Sequence, residues 1–283
     1  MIPFFHLGPL TIPTFGLMVA TALLVAAYVL QADFNRRRTH FVKKGYLKNK
    51  KEDAPRDEGF LIIGIAGIAG LVGAKLYHAF QNPATWKAEL FSRFGFAWFG
   101  GFLGGFIALW FLAKHYGIPV LEFMDVCSPA AAVGYAIGRI GCLLSGDGDY
   151  GIPTRLPWGM SFPFPATVPT TGPWDPESHS GVCNKFGLPE NCTVHPTPIY
   201  EFLIWMLIAV ILWRIGKKAL NGEATGKVFS YYLILTGVAR FLIELIRINP
   251  RSFFGMSNAQ TASLISIIAG IFLFWRLLAH SRT

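Results

Sequence analysis

Seven apolar runs, each close to the length of a membrane-spanning helix, follow one another along most of this chain. A helix needs about 20 mostly apolar residues to cross the hydrocarbon layer of a bilayer. Charged residues make up 14% of the sequence, against about 25% in an average soluble domain. The pattern predicts an all-α polytopic membrane protein with about seven transmembrane helices, at 14–32, 60–80, 97–114, 124–144, 198–215, 226–247 and 258–279.

Basic residues are distributed unequally between the loops that join these runs. Sixteen of the 25 lysines and arginines fall on one side of the predicted bundle, nine of them in the segment 33–59, and only five fall on the other side. Because cytoplasmic loops carry the excess of basic residues, we expect the N-terminus outside and the C-terminus in the cytoplasm. The net charge of +9 is then a topology signal, and no nucleic acid is expected as a partner.

The segment 146–197 is rich in proline, glycine, serine and threonine and is too polar to span a membrane. We interpret it as a small extracytoplasmic cap inserted into a single transmembrane domain, 1–283. Cys183 and Cys192 lie in this segment, where a disulfide is chemically permitted, and the sequence leaves open whether they are bridged. The chain has no CxxC pair and no histidine pair with metal-ligand spacing, so neither a metal nor another cofactor is expected.

Several charged residues fall within or at the ends of the predicted spans, where burial of a charge is costly and points to function. Arg139 lies near the outer end of the fourth span, and Arg240, Glu244 and Arg247 share one face of the sixth span through their i, i+4, i+7 spacing. Glu244 could simply neutralise the two arginines as a structural ladder. Alternatively, the excess positive charge binds an anion, and a phospholipid phosphate suits the bidentate guanidinium group.

Further candidates lie close to these residues in the predicted topology. Lys75 and Tyr77 are near the outer end of the second span, and Lys75 adds another positive charge. Asp147 and Asp149 follow Arg139 in a glycine-rich turn that ends at Gly151. An aspartate there could pair with an arginine and fix its rotamer, or the turn could be solvated and capped by its own side chains.

His195 opens the stretch that leads from the cap into the fifth span. The prolines that follow it predict an extended entry before the helix, and Tyr200 lies near the end of the stretch. His195 could act as an acid, as a base or as a hydrogen-bond donor, and a purely structural hydrogen bond is an equal alternative.

These stretches together resemble the bacterial prolipoprotein diacylglyceryl transferases, in the same order along the chain. The resemblance is carried by Gly138 to Gly151, by His195 to Glu201, by Arg240 to Arg247, and by Gly73 to Tyr77. It implies a membrane enzyme that transfers the diacylglyceryl group of phosphatidylglycerol to the lipobox cysteine of a prolipoprotein signal peptide. The reaction would take place at the bilayer of a bacterial inner membrane, on its outer leaflet.

The resemblance also implies roles for the candidate residues. Arg139 and Arg240 would hold the lipid phosphate and stabilise the charge that develops on the leaving group, and Glu244 and Arg247 would orient them. Asp147 and His195 join the two arginines as candidate catalytic residues. Lys75, Tyr77, Gly151 and Tyr200 complete the candidate substrate-binding set.

Some positions depart from the family pattern. The family's usual His-Gly-Gly, often assigned as the base, is Phe99-Gly100-Gly101 here, and a tyrosine of the first helix is Phe15. Signature asparagines are replaced by Cys142 and Ser145. We interpret Cys142 as a small apolar substitute and not as a nucleophile.

The missing histidine leaves the proton acceptor open between His195, Asp147, Asp149 and an oxygen of the lipid phosphate. Two other functions stay possible at this point. The chain could be a divergent member that transfers a lipid-derived group to another acceptor, or a non-catalytic phospholipid-binding protein or transporter. A transporter more often has inverted repeats and broken helices, and the sequence contains no convincing internal repeat.

Overall fold

The structure is a computed structural model that describes residues 2, 4–8, 10–46, 57–83, 85–91, 97–146, 150–161, 183, 186–189, 192–219, 225–249, 251 and 254–280. Within these ranges the chain forms a two-stranded hairpin followed by eight helices. Their order is β1 (Phe4–Leu7), β2 (Leu10–Pro13), α1 (Thr14–Lys43), α2 (Glu58–Gln81), α3 (Trp86–Phe91), α4 (Trp98–Tyr116), α5 (Val120–Ser145), α6 (Thr197–Ala219), α7 (Lys227–Leu245) and α8 (Asn258–His280).

Six of these helices, α1, α2, α5, α6, α7 and α8, are long and apolar enough to cross a membrane. The 19-residue helix α4 connects the two ends of the bundle. The amide of Ala97 donates to the carbonyl of Ala74 (3.1 Å) near the end of α2, and Tyr116 stacks on Phe123 near the start of α5. The all-α polytopic prediction is therefore confirmed, and the antiparallel pairing of β1 with β2 is an addition that the sequence did not predict.

Helix α1 is much longer than its predicted span because its polar end is internally paired. The carboxylate of Asp33 is fully buried and forms ion pairs with Arg36 and Arg37 one turn later, and Arg38 pairs with Glu58 on α2 at 3.1 Å. The prediction that these three arginines lie in a loop is therefore wrong. Each is held on a helix because a carboxylate compensates for the cost of burying its charge.

Close helix contacts in this bundle depend on glycine. A Cβ atom at Gly73 or Gly100 would overlap the carbonyl oxygen of the other residue, and one at Gly104 would overlap the carbonyl oxygen of Ala69. Small residues allow helix backbones to approach in this way, and van der Waals packing then stabilises the bundle. The glycine-rich segments therefore place α4 directly against α2.

Helix α5 lies at the centre of the bundle, between α1 on one side and α6 and α7 on the other, and α8 packs on the outside of α7. Asp125 lies in the second turn of α5. Its carboxylate accepts hydrogen bonds from the amides of Gly226 and Phe229, both at 2.7 Å. Asp125 thus caps the first turn of α7 and holds the N-terminal ends of α5 and α7 together.

Candidate functional site

Glu201 lies at the centre of a charged cluster near the C-terminal ends of α5 and α7 and the N-terminal end of α6. Its side chain is fully buried. Its two carboxylate oxygens form ion pairs with the guanidinium groups of Arg139 on α5 and Arg240 on α7. Arg247 approaches the same carboxylate at 3.7 Å. One glutamate therefore joins three arginines that come from two distant parts of the sequence.

Glu244 provides the second carboxylate of the cluster. Its Oε2 atom lies 3.1 Å from Nη2 of Arg240 and 3.6 Å from Nε of Arg247. Its Oε1 atom accepts hydrogen bonds from Nδ2 of Asn249 (2.6 Å) and Oγ of Ser257 (2.8 Å). The two polar side chains hold one oxygen, so that the other oxygen faces the arginines.

The described part of this cluster has three arginines and two glutamates, and so it keeps one net positive charge. The structural ladder expected from the sequence is present at Glu244, and the pairs with Glu201 extend it to Arg139. The side chain of Arg240 is 22% exposed and that of Arg139 is 11% exposed, whereas that of Arg247 is 4% exposed. An anion that enters the cluster would therefore meet Arg240 and Arg139 first.

Tyr135 fixes the position of Arg139 and Glu201 relative to one another. Its hydroxyl donates to Oε1 of Glu201 at 3.2 Å, and its ring stacks on Trp205 of α6 with 4.6 Å between ring centroids. The guanidinium carbon of Arg139 lies 5.8 Å from the centre of the same ring, within the range of a cation–π contact.

Sequence reasoning assigned no role to Glu201 or Tyr135. A usable signal for Glu201 was present, because it is a carboxylate at the start of an apolar run, where an ionisable residue needs a partner. Tyr135 carried no comparable signal. Its hydroxyl contact depends on the packing of α5 against α6.

Gly151 lies where the chain segments that follow α5 and α7 meet the segment before α6. It forms an isolated antiparallel bridge with Arg247, and its amide donates to the carbonyl of His195 at 2.9 Å. A Cβ atom at this position would lie 2.7 Å from the carbonyl oxygen of Ile246. The structure therefore gives Gly151 a backbone role, and its predicted contact with substrate stays a prediction.

Arg247 was predicted on the same helix face as Arg240, but α7 ends at Leu245. The bridge to Gly151 takes over from the helix at this point. Arg247 nevertheless reaches the same carboxylates as Arg240, because this bridge holds its backbone close to the end of α7.

His195 and Tyr200 form a hydrogen-bonded chain with Trp158 of the cap segment. Nδ1 of His195 lies 3.1 Å from the hydroxyl oxygen of Tyr200, and the indole N–H of Trp158 donates to that oxygen at 2.8 Å. Tyr200 immediately precedes Glu201 in α6. The predicted residues His195 and Tyr200 are thus next to the arginine cluster in the fold.

The described part of the cap segment is held by short-range pairing and by one covalent link. Val194 pairs with Pro153 and with Met160, and Cys183 and Cys192 form a disulfide. The sequence left open whether these two cysteines are bridged, and the structure shows that they are. Tyr150 packs on Val194, and burial raises the pKa of its phenol above the ordinary value. The extent of the cap as a unit, 146–197, stays a prediction.

Other predicted site residues are not joined to the cluster by the described contacts. Lys75 and Tyr77 lie on α2, which packs mainly on α4, α1 and α3, so their binding role stays a prediction. Asp147 and Asp149 lie outside the described residues, and their roles also stay predictions. Phe99 is half exposed on α4.

Cys142 is buried, and its sulfur lies 3.4 Å from Nη1 of Arg139. It therefore contacts the guanidinium group directly, where an apolar role alone had been expected. Among the described residues, no three histidine, cysteine, aspartate or glutamate side chains are grouped as a metal site would require.

The fold and the cluster define a class of protein: a polytopic membrane protein with a buried, arginine-rich polar site at one end of its helix bundle. Comparison with known proteins gives the family. The sequence model of the prolipoprotein diacylglyceryl transferase family matches residues 3–276 of this chain. This chain belongs to that family, as the resemblance of its motifs predicted.

Individual relatives cover nearly the whole chain. A phosphatidylglycerol–prolipoprotein diacylglyceryl transferase of Clostridium tetani is 32% identical over 278 residues, which is 95% of each chain. A protein of the same name from Cupriavidus metallidurans is 31% identical over 95% of this chain and 91% of its own. Another, from Bifidobacterium adolescentis, is 27% identical over 95% of this chain and 76% of its own.

Proposed function

We propose that this protein transfers the diacylglyceryl group of phosphatidylglycerol to the lipobox cysteine thiol of prolipoproteins. The observation that carries the proposal is the convergence of the guanidinium groups of Arg139, Arg240 and Arg247 on the buried carboxylate of Glu201. A phosphodiester headgroup bears one negative charge and accepts hydrogen bonds from guanidinium groups in a planar, bidentate manner. The names of the relatives supply the two substrates.

The chemistry of the transfer is a displacement at carbon. A sulfur–carbon bond forms between the cysteine and the diacylglyceryl group while the carbon–oxygen bond to phosphate breaks. The electron pair of that bond passes to the phosphate oxygen, and glycerol phosphate leaves. The proton of the thiol is lost before or during the attack, because the thiolate is the reactive nucleophile.

The arginines serve this reaction through the negative charge that accumulates on the departing phosphate. Preorganised donors that point at developing charge are worth more in a site that excludes water than in bulk solvent. Arg139 and Arg240 are the two more exposed arginines of the cluster, so they would contact the phosphate. Glu201 and Glu244 would keep both guanidinium groups in position.

The membrane orientation is also part of the proposal, with the N-terminus outside and the C-terminus in the cytoplasm of a bacterium. The exposed basic residues Arg214 and Lys217 lie at the opposite end of α6 from Glu201, as the positive-inside rule requires if the site is on the outer side. The disulfide between Cys183 and Cys192 lies on the same side as the site and suits an oxidising compartment.

The test is a direct transfer assay. Membranes that contain the protein are incubated with phosphatidylglycerol and a lipobox peptide, and the thioether product is measured by mass spectrometry. We expect product from the unchanged protein, and a loss of about 10²-fold or more in Arg139→Ala and in Arg240→Ala. Lys87→Ala is the control, since Lys87 lies on the short exposed helix α3, and it should leave the rate unchanged.

Absence of product from the unchanged protein, while the relative from Clostridium tetani is active in the same assay, would exclude this function. Equal rates in Arg240→Ala and Lys87→Ala would exclude the arginine cluster as the site.

A further inference from the structure

The hydrogen-bonded chain from Trp158 through Tyr200 to His195 has a defined direction. An indole N–H can only donate, so the hydroxyl oxygen of Tyr200 must accept from Trp158 at 2.8 Å. The Tyr200 hydroxyl has one proton of its own to donate. Among the described residues, Nδ1 of His195 also lies within hydrogen-bond distance of that hydroxyl oxygen, at 3.1 Å.

This direction determines where neutral His195 carries its proton. If the Tyr200 hydroxyl donates to Nδ1, then Nδ1 is the unprotonated nitrogen and the proton is on Nε2. The opposite tautomer would place two donors, the indole and Nδ1–H, on one oxygen and leave the Tyr200 proton without an acceptor among the described residues. The hydrogen bond that one ring nitrogen makes commonly sets the state of the other in this way.

The backbone of His195 lies next to the segment that carries Arg247. Its carbonyl accepts from the amide of Gly151, and Gly151 is bridged to Arg247. Tyr200 is the residue before Glu201, which pairs with all three arginines. These backbone links hold the hydrogen-bonded pair of His195 and Tyr200 at the edge of the arginine cluster.

We propose that Trp158 is a positioning residue that acts through Tyr200 to hold neutral His195 in the Nε2–H tautomer, so that His195 offers the substrate a hydrogen-bond donor instead of a base. The proposal rests on the proposed function, since it concerns the same site. His195 keeps its proton during the transfer, and the thiol proton passes to an oxygen of the phosphate group that leaves. Trp158 is 55% exposed, so its substitution removes a hydrogen bond without opening the apolar core.

The role of His195 is tested by two amide substitutions that differ in which ring nitrogen they replace. Glutamine places an N–H group near the position of Nε2, and asparagine places one near Nδ1. We expect His195→Gln to retain transfer within about fivefold, and His195→Asn to lose about 10²-fold. Equal, severe losses in both variants would identify His195 as a proton acceptor and overturn the proposal.

The role of Trp158 is tested by Trp158→Phe, with Trp110→Phe on α4 as the control for an exposed tryptophan. We expect kcat to fall about tenfold in Trp158→Phe, with KM and thermal stability unchanged. The ¹⁵N NMR spectrum of histidine-labelled protein should show unprotonated Nδ1 in the unchanged protein and a mixture of tautomers in Trp158→Phe. An unchanged tautomer in that variant, or protonated Nδ1 in the unchanged protein, would overturn the proposal.

The spectroscopic measurement needs no turnover. If the unchanged protein fails to transfer the lipid but shows the Nε2–H tautomer and its dependence on Trp158, the proposed function is wrong and the positioning role of Trp158 stands.

Discussion

The carboxylate of Glu201 on α6 forms an ion pair with the guanidinium of Arg139 on α5, and both side chains are largely removed from solvent. Removal of one partner from a buried pair leaves an uncompensated charge and costs about 3–5 kcal/mol. Glu201 is also paired with Arg240, so its loss would leave the arginines facing the single carboxylate of Glu244. The stability of this part of the bundle and the geometry of the site therefore depend on the same residue.

Glu201→Gln should reduce both stability and transfer. We expect the free energy of unfolding to fall by about 3 kcal/mol and the rate of transfer to fall by at least 10²-fold, because Arg139 and Arg240 lose the charge that orients them. The control is Glu58→Gln, which breaks a buried pair with Arg38 between α1 and α2. This variant should lose comparable stability and keep its kcat. A comparable loss of kcat in the two variants would show that Glu201 contributes only to stability.

Ser257→Ala should weaken transfer through Glu244. Loss of the 2.8 Å hydrogen bond leaves Oε1 of Glu244 held by Asn249 alone, so that Oε2 is held less firmly towards Arg240 and Arg247. We expect kcat to fall about threefold to tenfold and the free energy of unfolding to fall by about 1 kcal/mol.

Two further variants make the Ser257 result interpretable. Ser257→Thr keeps the hydroxyl and should restore the rate. Ser263→Ala removes a hydroxyl that bonds only to its own helix, at the carbonyl of Ala259, and should leave kcat unchanged. A loss in Ser257→Thr as large as that in Ser257→Ala would argue against the hydrogen bond as the cause.

Gly100→Ala should destabilise the contact between α2 and α4. The added methyl group would overlap the carbonyl oxygen of Gly73, and overpacking of this kind costs about 1–3 kcal/mol. Gly64→Ala is the matched control, because nothing lies within 4 Å of the added Cβ at this position. We expect a lower midpoint of thermal unfolding in Gly100→Ala alone. A similar midpoint of thermal unfolding in both variants would show that α2 and α4 accommodate the added methyl group without loss of stability.

The disulfide between Cys183 and Cys192 should be detectable chemically. Alkylation of denatured protein without reduction should modify two cysteines, Cys127 and Cys142, whereas prior reduction should make all four reactive. In the doubly substituted variant Cys183→Ser/Cys192→Ser, we expect faster proteolysis of the cap segment and retention of the helix bundle. Four reactive cysteines without reduction would contradict the disulfide.

Much of the bundle could be predicted because membrane burial leaves a strong signal in a single sequence. Apolar runs give the position of each long helix, although not of the short α3, and the glycines of α2 and α4 indicate close packing. The hydropathy signal failed at the polar end of α1. Arg36, Arg37 and Arg38 look like a loop until their partners Asp33 and Glu58 are known.

The arginine cluster was predicted only in part. The proximity of Arg240, Glu244 and Arg247 could be predicted from their spacing, because residues three and four apart on a helix are neighbours. The ion pair between Arg139 and Glu201 could not be predicted from the sequence, because it depends on how α5 packs on α6. The same holds for Asp125, whose partners at Gly226 and Phe229 are far away in sequence.

The odd number of charges in the arginine cluster has a consequence for the timing of a catalytic cycle. A phosphodiester of charge −1 would bring the three arginines and two glutamates to electroneutrality. The phosphomonoester that leaves can carry a second negative charge at neutral pH, since its second pKa is about 6. If the thiol proton passes to the departing phosphate, the product keeps a charge of −1 in the site and gains its second negative charge only in water. The described arginines and glutamates would thus hold substrate and product at the same net charge, and ionisation of the product in water would oppose its return to the site.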